Sequence, residues 1–220
     1  MTVYVAPIVE GHTEVACLER LLHRVWLELP TALNRIHVLP PSRGNRSSLA
    51  RVGNPELETK VNEGGATLRR RLSREADSSG FILLLLDADD DCPARLGPEL
   101  LARASAIRPD IHIACVLANR QFENWFKAAA GSLAGVGKLP ADLVAVADPE
   151  SGRGAAWLTE QMKRLDSKSE YKKPGDALLL TQRMDLALCR ANSPSFARLC
   201  RELAARVPVP PAAPVPGVPA

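Results

Sequence analysis

Phe81-Ile82-Leu83-Leu84-Leu85-Leu86 runs directly into Asp87-Ala88-Asp89-Asp90-Asp91, so six apolar residues are followed by four acids within five positions. An apolar run of that length without polar alternation reads as a strand buried on both faces, the habit of parallel sheets covered by helices. Upstream, Val3 to Val9 is a second apolar, β-branched run, closed by Glu10-Gly11. Leu18, Leu21, Leu22, Val25, Trp26 and Leu29 then recur at helical spacing, which predicts a helix from Thr13 to Leu29 stopped by Pro30. Downstream, the pattern predicts a helix from Pro93 to Ile107, a strand from Ile111 to Leu117 and a helix from Gln121 to Ala130.

Between the first helix and the acid-tipped strand, Ile36 to Leu39 fits a short strand. Pro40 to Gly65 reads as a long polar loop, and Ala66 to Ala76 as a helix with Leu68 and Leu72 inward and its arginines outward. Repeated strand–helix alternation predicts an α/β fold, a mainly parallel sheet flanked by helices, with the carboxyl ends of its strands on one edge. The last third changes character. Leu178 to Leu188 and Phe196 to Ala205 read as helices of a small C-terminal extension, and Val207 to Ala220 as a Pro-rich tail, extended or disordered. The domain plan is therefore an α/β domain over 1–135, a helical extension packed on it over 136–206, and the tail over 207–220.

The 220 residues, 46% hydrophobic and 24% charged, fit one well-cored globular domain with an appendage. A net charge of +3 does not by itself argue for nucleic acid. Its distribution is more telling: Arg43, Arg46, Arg51, Arg69 and Arg70 lie between Ser42 and Arg74, a basic region beside the acidic turn. A solvated helix face would give the same pattern. The five cysteines are odd in number, contain no C-x-x-C pair and sit mostly in apolar runs, which favours reduced thiols in a cytoplasmic protein over disulfides or a zinc site. The opening residues lack a basic segment followed by an apolar one, and no stretch approaches the roughly 18 apolar residues of a membrane span, so neither export nor membrane insertion is expected.

In an open parallel sheet, ligands sit beyond the carboxyl ends of the strands. Glu10, Asp87 and Asp89 end two of the predicted strands and Glu123 follows a third, which brings all four to one edge. Converging carboxylates repel one another unless a cation or protons neutralise them. Oxygen ligands of this kind suit Mg²⁺ or Mn²⁺, which can activate a nucleophile and stabilise phosphate charge, so phosphodiester hydrolysis is the chemistry indicated. Taken singly, each acid also suits a turn or a helix cap. The acidic turn is not an EF-hand: aligned on Asp87 it lacks the turn glycine and has Pro98 where the bidentate Glu belongs. A haloacid-dehalogenase-type Asp-x-Asp nucleophile would normally follow the first strand. Ser151-Gly152-Arg153-Gly154 does not match a P-loop, and Trp125 and Phe126 read as core aromatics.

Val9-Glu10-Gly11-His12-Thr13-Glu14 resembles the V-E-G-x-[TS]-[DE] opening of Toprim domains, and Leu86-Asp87-Ala88-Asp89 resembles their Asp-x-Asp strand. The chain looks like a small stand-alone Toprim protein with a Toprim/Rossmann-like sheet, similar to the nuclease half of the OLD family. It resembles in particular a bacterial family with the further segments Arg120-Gln121-Phe122-Glu123-Asn124-Trp125 and Tyr171-Lys172-Lys173-Pro174. The resemblance implies that Glu10 is a general acid/base or metal ligand, that Asp87 and Asp89 bind Mg²⁺, and that Glu14 and Glu123 add to the metal cluster. It also implies that Lys173 stabilises the phosphate or leaving group. First-turn and surface roles remain open for Glu14, Glu123 and Lys173. From the same resemblance come a nucleic-acid substrate, a separate ABC-type ATPase partner and a role in anti-phage defence. Two alternatives stay beside it: a phosphohydrolase of a small nucleotide, and a non-catalytic assembly or regulatory subunit. The sequence leaves a homo-oligomer open.

Overall fold

A computed structural model describes residues 1–29 and 34–207. The expected tail lies outside the described residues except for Val207, as does the Pro30 stop. In chain order the elements are β1 (Thr2–Val9), α1 (His12–Leu27), β2 (Arg35–Val38), β3 (Ser42–Arg43), α2 (Arg46–Ala50), α3 (Glu56–Leu72), β4 (Ser78–Asp87), α4 (Pro93–Ile107) and β5 (His112–Ala118). They continue with α5 (Asn124–Ala128), a 3₁₀ turn (Ala130–Leu133), α6 (Gly154–Lys163), α7 (Gly175–Arg183), α8 (Leu186–Asn192) and α9 (Pro194–Ala204). The fold is α/β: every strand pairing is parallel, in the order β2-β1-β4-β5, with β3 running beside β1 beyond the end of β2.

The leucine run works as expected of a doubly buried strand. Phe81, Leu83 and Leu85 face a core shared with α1, α7, α8 and α9, while Ile82, Leu84 and Leu86 face a second core shared with α3 and α4. β5 alternates in the same way, with Ala114 and Val116 on one side and Ile113, Cys115 and Leu117 on the other. Helices from the C-terminal third thus complete the cover of one sheet face together with α1. Among the described residues no helix is long and apolar enough to cross a membrane.

The stretch read as a loop over 40–65 is instead largely structured, by β3, α2 and a 17-residue α3 that begins at Glu56. Its buried residues Leu57, Val61, Gly65 and Leu68 make a sparse stripe, and Gly64-Gly65 looks like a breaker. The structure explains Gly65: a Cβ there would stand 2.3 Å from the Arg108 guanidinium and 2.8 Å from Ile111, so the glycine lets α3 close on the chain leading into β5. The predicted helix over 121–130 is shorter: α5 spans Asn124–Ala128, and the chain then tightens into the 3₁₀ turn, where the Ser132 N–H and hydroxyl both donate to the Ala129 carbonyl (2.9 and 2.7 Å). The predicted helix over 178–188 is two helices. Asp185 breaks it by capping α8, its carboxylate accepting the Leu188 N–H at 2.8 Å. α6 was not anticipated by the sequence reading, its buried Leu158 and Met162 standing behind a glycine-rich start.

Candidate active site

After β1 the chain crosses through α1 on one face to β2; it returns through α3 on the opposite face to β4, on the other side of β1. The direction of winding therefore reverses between β1 and β4, and a crevice opens at their carboxyl ends. Glu10 directly follows β1 and Asp87 is the last residue of β4, so the topology itself brings them together.

The turn after β4 is held by its neighbours. Ala88 and Asp89 N–H groups donate to the Ala118 and Arg120 carbonyls, both at 2.9 Å. Asp89 (φ 50°) and Arg120 (φ 63°) both adopt the left-handed conformation, at a cost of roughly 1–2 kcal/mol per residue. Arg46, only 16% exposed, straps this turn from α2: its guanidinium donates to the Asp87 carbonyl (3.3 Å) and the Ala88 carbonyl (2.8 Å), lies 3.8 Å from Asp89 and pairs with Asp91. Arg46 thus braces the acidic loop, a task its place in a basic stretch did not reveal. Arg43 contacts His12 at the start of α1.

Asp87 is 8% exposed, Glu14 4% and Glu123 0%. Burial is the main cause that raises the Asp87 carboxyl well above its ordinary range, followed by the charges of Glu14, Glu123 and Glu10; the Phe122 N–H, which donates to Asp87 Oδ1 at 2.7 Å, pulls the other way. Burial likewise raises Glu10 to about 7, with Asp89 and Glu14 adding repulsion. Glu14 is raised by burial and by Glu123, against the backbone N–H groups of the α1 start and Lys173.

Glu123 is the anchor of the deeper side. Its Oε1 accepts from Lys173 Nζ at 2.7 Å, the Tyr171 hydroxyl at 3.2 Å and the Thr13 hydroxyl at 3.3 Å. Burial pushes the Lys173 ammonium down, but Glu123, Asp87 and Glu14 outweigh it and hold the pKa above the ordinary value. Next to Glu123, the buried Asn124 fills the loop ahead of α6. It accepts the Gly154 N–H (2.8 Å) and donates to the Pro149 and Gly152 carbonyls (3.0 and 3.1 Å). A Cβ on Gly154 would lie 2.5 Å from the Asn124 nitrogen and the Glu123 carbonyl carbon, which are backbone atoms that cannot rotate away. Gly154→Ala is therefore expected to cost about 2 kcal/mol or more of stability and to displace Glu123; a denaturant titration that leaves the midpoint unchanged would contradict this packing.

The structure brings Glu10, Glu14, Asp87, Asp89, Glu123, Lys173, Arg43 and Arg46 to one crevice. It does not bring the other predicted basic residues there. Arg69 pairs with Asp110 ahead of β5, at the amino-terminal edge of the sheet, because α3 runs antiparallel to the strands; Arg70 follows it, exposed. Arg51 is exposed beyond α2 and lines neither hollow of the crevice. Sequence reasoning missed Thr13 and Tyr171 as supports of Glu123 and Asn124 as the tie to the loop ahead of α6, although all three lie inside the quoted motifs.

Two hollows of about 480 Å³ each meet along Glu10-Gly11. The first holds Glu14, Asp87 and Lys173 against an apolar wall of Val15, Ala16 and Pro174. Glu10, Glu14 and Glu123 each keep a buried Oε2 without a hydrogen-bond partner. Orphaned carboxylate oxygens on these three acids, of which Glu14 repels both others, form a hard, all-oxygen donor set that fits a divalent cation such as Mg²⁺ or Mn²⁺. Among the described residues no three or more His, Cys, Asp or Glu side chains are arranged as a ready chelate.

No curated protein and no solved structure matches the chain. One family model does, over residues 9–204, a span that contains every acid of the crevice together with Lys173. The chain belongs to that family, described as a domain of unknown function (DUF4276).

Proposed function

We propose that the chain is a Mg²⁺- or Mn²⁺-dependent nuclease of the Toprim type, hydrolysing phosphodiester bonds of DNA or RNA in the cytoplasm. The observation that carries this reading is the set of orphaned carboxylate oxygens of Glu10, Glu14 and Glu123, all three acids repelling the buried Asp87 at the switch point of the sheet. A divalent cation held by Glu10, Asp87 and Asp89, with Glu14 in reach, would supply Lewis-acid stabilisation of phosphate charge. Burial raises the Glu10 carboxyl to about 7 in the metal-free chain, so the cation would bind it in exchange for a proton near neutral pH. Lys173 keeps its ammonium charged at the wall of the hollow, where negative charge on a departing oxygen needs a donor. An ABC-type ATPase partner and anti-phage activity belong to this reading through the resemblance alone.

The test is incubation of the purified chain with supercoiled plasmid, single-stranded DNA and structured RNA in Mg²⁺, Mn²⁺ or EDTA, beside Asp87→Asn. Cleavage that needs metal and Asp87 supports the reading; cleavage that survives EDTA or the substitution overturns it.

Glu10, Glu14 and Asp87 set a pH dependence. Because folding raises their pKa values, the metal-free protein holds more protons folded than unfolded, and stability present below the unfolded pKa is lost as pH rises through the folded one. For Glu10 that window runs from about 4.5 to about 7. Mg²⁺ is accordingly expected to raise the melting temperature more at pH 8 than at pH 5, and an equal shift at both would contradict the role given to the acids.

A further inference from the structure

We propose that the second hollow, on the basic side of Glu10, holds a neighbouring phosphate of the substrate, so that the chain acts on strands carrying at least two successive phosphates. This rests on the phosphodiesterase reading above and adds the substrate class to it. The two hollows share the Glu10-Gly11 wall but differ in charge: the first adds Glu14 and Asp87 to it with one cation, Lys173, whereas the second adds Arg43, Asn45 and Arg46 with one further acid, Glu56. In the second hollow Arg46 is committed to the Asp87 and Ala88 carbonyls and to Asp91, and Glu56 accepts the Asn45 N–H at 2.8 Å. Arg43 is the cation left over, since among the described residues no carboxylate pairs with it and its polar side-chain contact is His12.

Its position is fixed by the sheet. Arg43 lies beside Val9 in the β1–β3 pairing, and the Gly44 N–H donates to the Val9 carbonyl at 2.9 Å, one residue before Glu10. A guanidinium held there can meet a phosphate through two parallel N–H donors. On the other side of Glu10, Val15 stays 38% exposed and faces the first hollow with Ala16 and Pro174. That apolar wall suits the sugar or base of the nucleoside attached to the phosphate under attack. A one-phosphate diester would fill the first hollow and leave Arg43 idle.

The experiment compares TpT with pTpT and TpTp, and with bis(p-nitrophenyl) phosphate, using the full chain in Mn²⁺. One of the two-phosphate dinucleotides is expected to be cleaved with a kcat/KM about tenfold or more above TpT, and Arg43→Gln to shrink that ratio towards one, with Arg43→Lys in between. A ratio near one in the unaltered chain, or one that Arg43→Gln leaves intact, overturns the second-phosphate site while the phosphodiesterase reading stands. Should none of the diesters be hydrolysed, that reading falls, and binding decides the site separately. Anisotropy of a labelled oligothymidylate in Ca²⁺ is then expected to show a log–log salt slope reduced by about 0.7 in Arg43→Gln. An unchanged slope, or no binding, overturns the proposal.

Discussion

Asp87→Asn is expected to lower the rate of hydrolysis by about a thousandfold or more and to raise the melting temperature of the metal-free protein at pH 8. The first effect follows from removing a charged ligand of the proposed metal, and a loss of several kcal/mol of transition-state stabilisation corresponds to that factor. The second follows from the cost of the native carboxylate. Asp87 is 8% exposed and its pKa is raised by burial and by Glu14, Glu123 and Glu10. Asparagine keeps an oxygen to accept the Phe122 N–H, which Asp87 Oδ1 now accepts at 2.7 Å, and carries no charge. Because the folded pKa is raised, the penalty is absent below the unfolded value of about 3.9 and grows as pH rises. The stability difference between the two proteins should therefore be small at pH 4 and widen towards pH 8, read by thermal melts in EDTA. An Asp87→Asn protein that melts below the parent at pH 8 would show that the carboxylate is a net support of the fold.

Lys173→Met should weaken hydrolysis about a hundredfold and cost about 2 kcal/mol of stability. Breaking an ion pair whose other member is buried leaves an uncompensated charge, at a cost of roughly 3–5 kcal/mol when both partners are buried. Here Glu123 is 0% exposed but the Lys173 side chain is 42% exposed, which reduces the figure. Lys173 has a raised pKa, so its contribution is fully present below the unfolded value of about 10.4 and is lost only above it. The deficit should persist unchanged from pH 6 to 9. Adding Glu123→Gln to Lys173→Met removes the orphaned charge and should restore most of the stability without restoring activity. A double variant as unstable as the single one would mean that the lysine stem, and not the charge, supports the site.

The sheet was legible because Val3–Val9 and Phe81–Leu86 are buried on both faces, and such strands announce themselves as apolar runs. The site acids were legible for a related reason: Glu10, Asp87 and Asp89 break those runs at their carboxyl ends. α3 was half missed, since its inward stripe includes Gly65, whose packing role depends on Arg108 and Ile111 far along the chain. The bracing role of Arg46 was not legible in its basic stretch because its partners, the Asp87 and Ala88 carbonyls, are backbone atoms some forty positions away that no composition reveals. The same holds for Tyr171 and Thr13, which meet only at Glu123. Arg69 and Arg70 were placed with the site by proximity in sequence, whereas the direction of α3 carries them to the opposite edge.

Calorimetric titration of the metal-free chain with Mn²⁺ at pH 6, in two buffers of different ionisation enthalpy, measures binding and proton release together. If Glu10, Asp87 and Asp89 hold the cation with Glu14 in reach, the raised pKa values of Glu10, Glu14 and Asp87 require Mn²⁺ to displace about one proton or more, and Asp87→Asn to bind more weakly with fewer protons released. No binding, or binding with no proton release and no response to Asp87→Asn, would contradict the assignment of these acids to a metal centre.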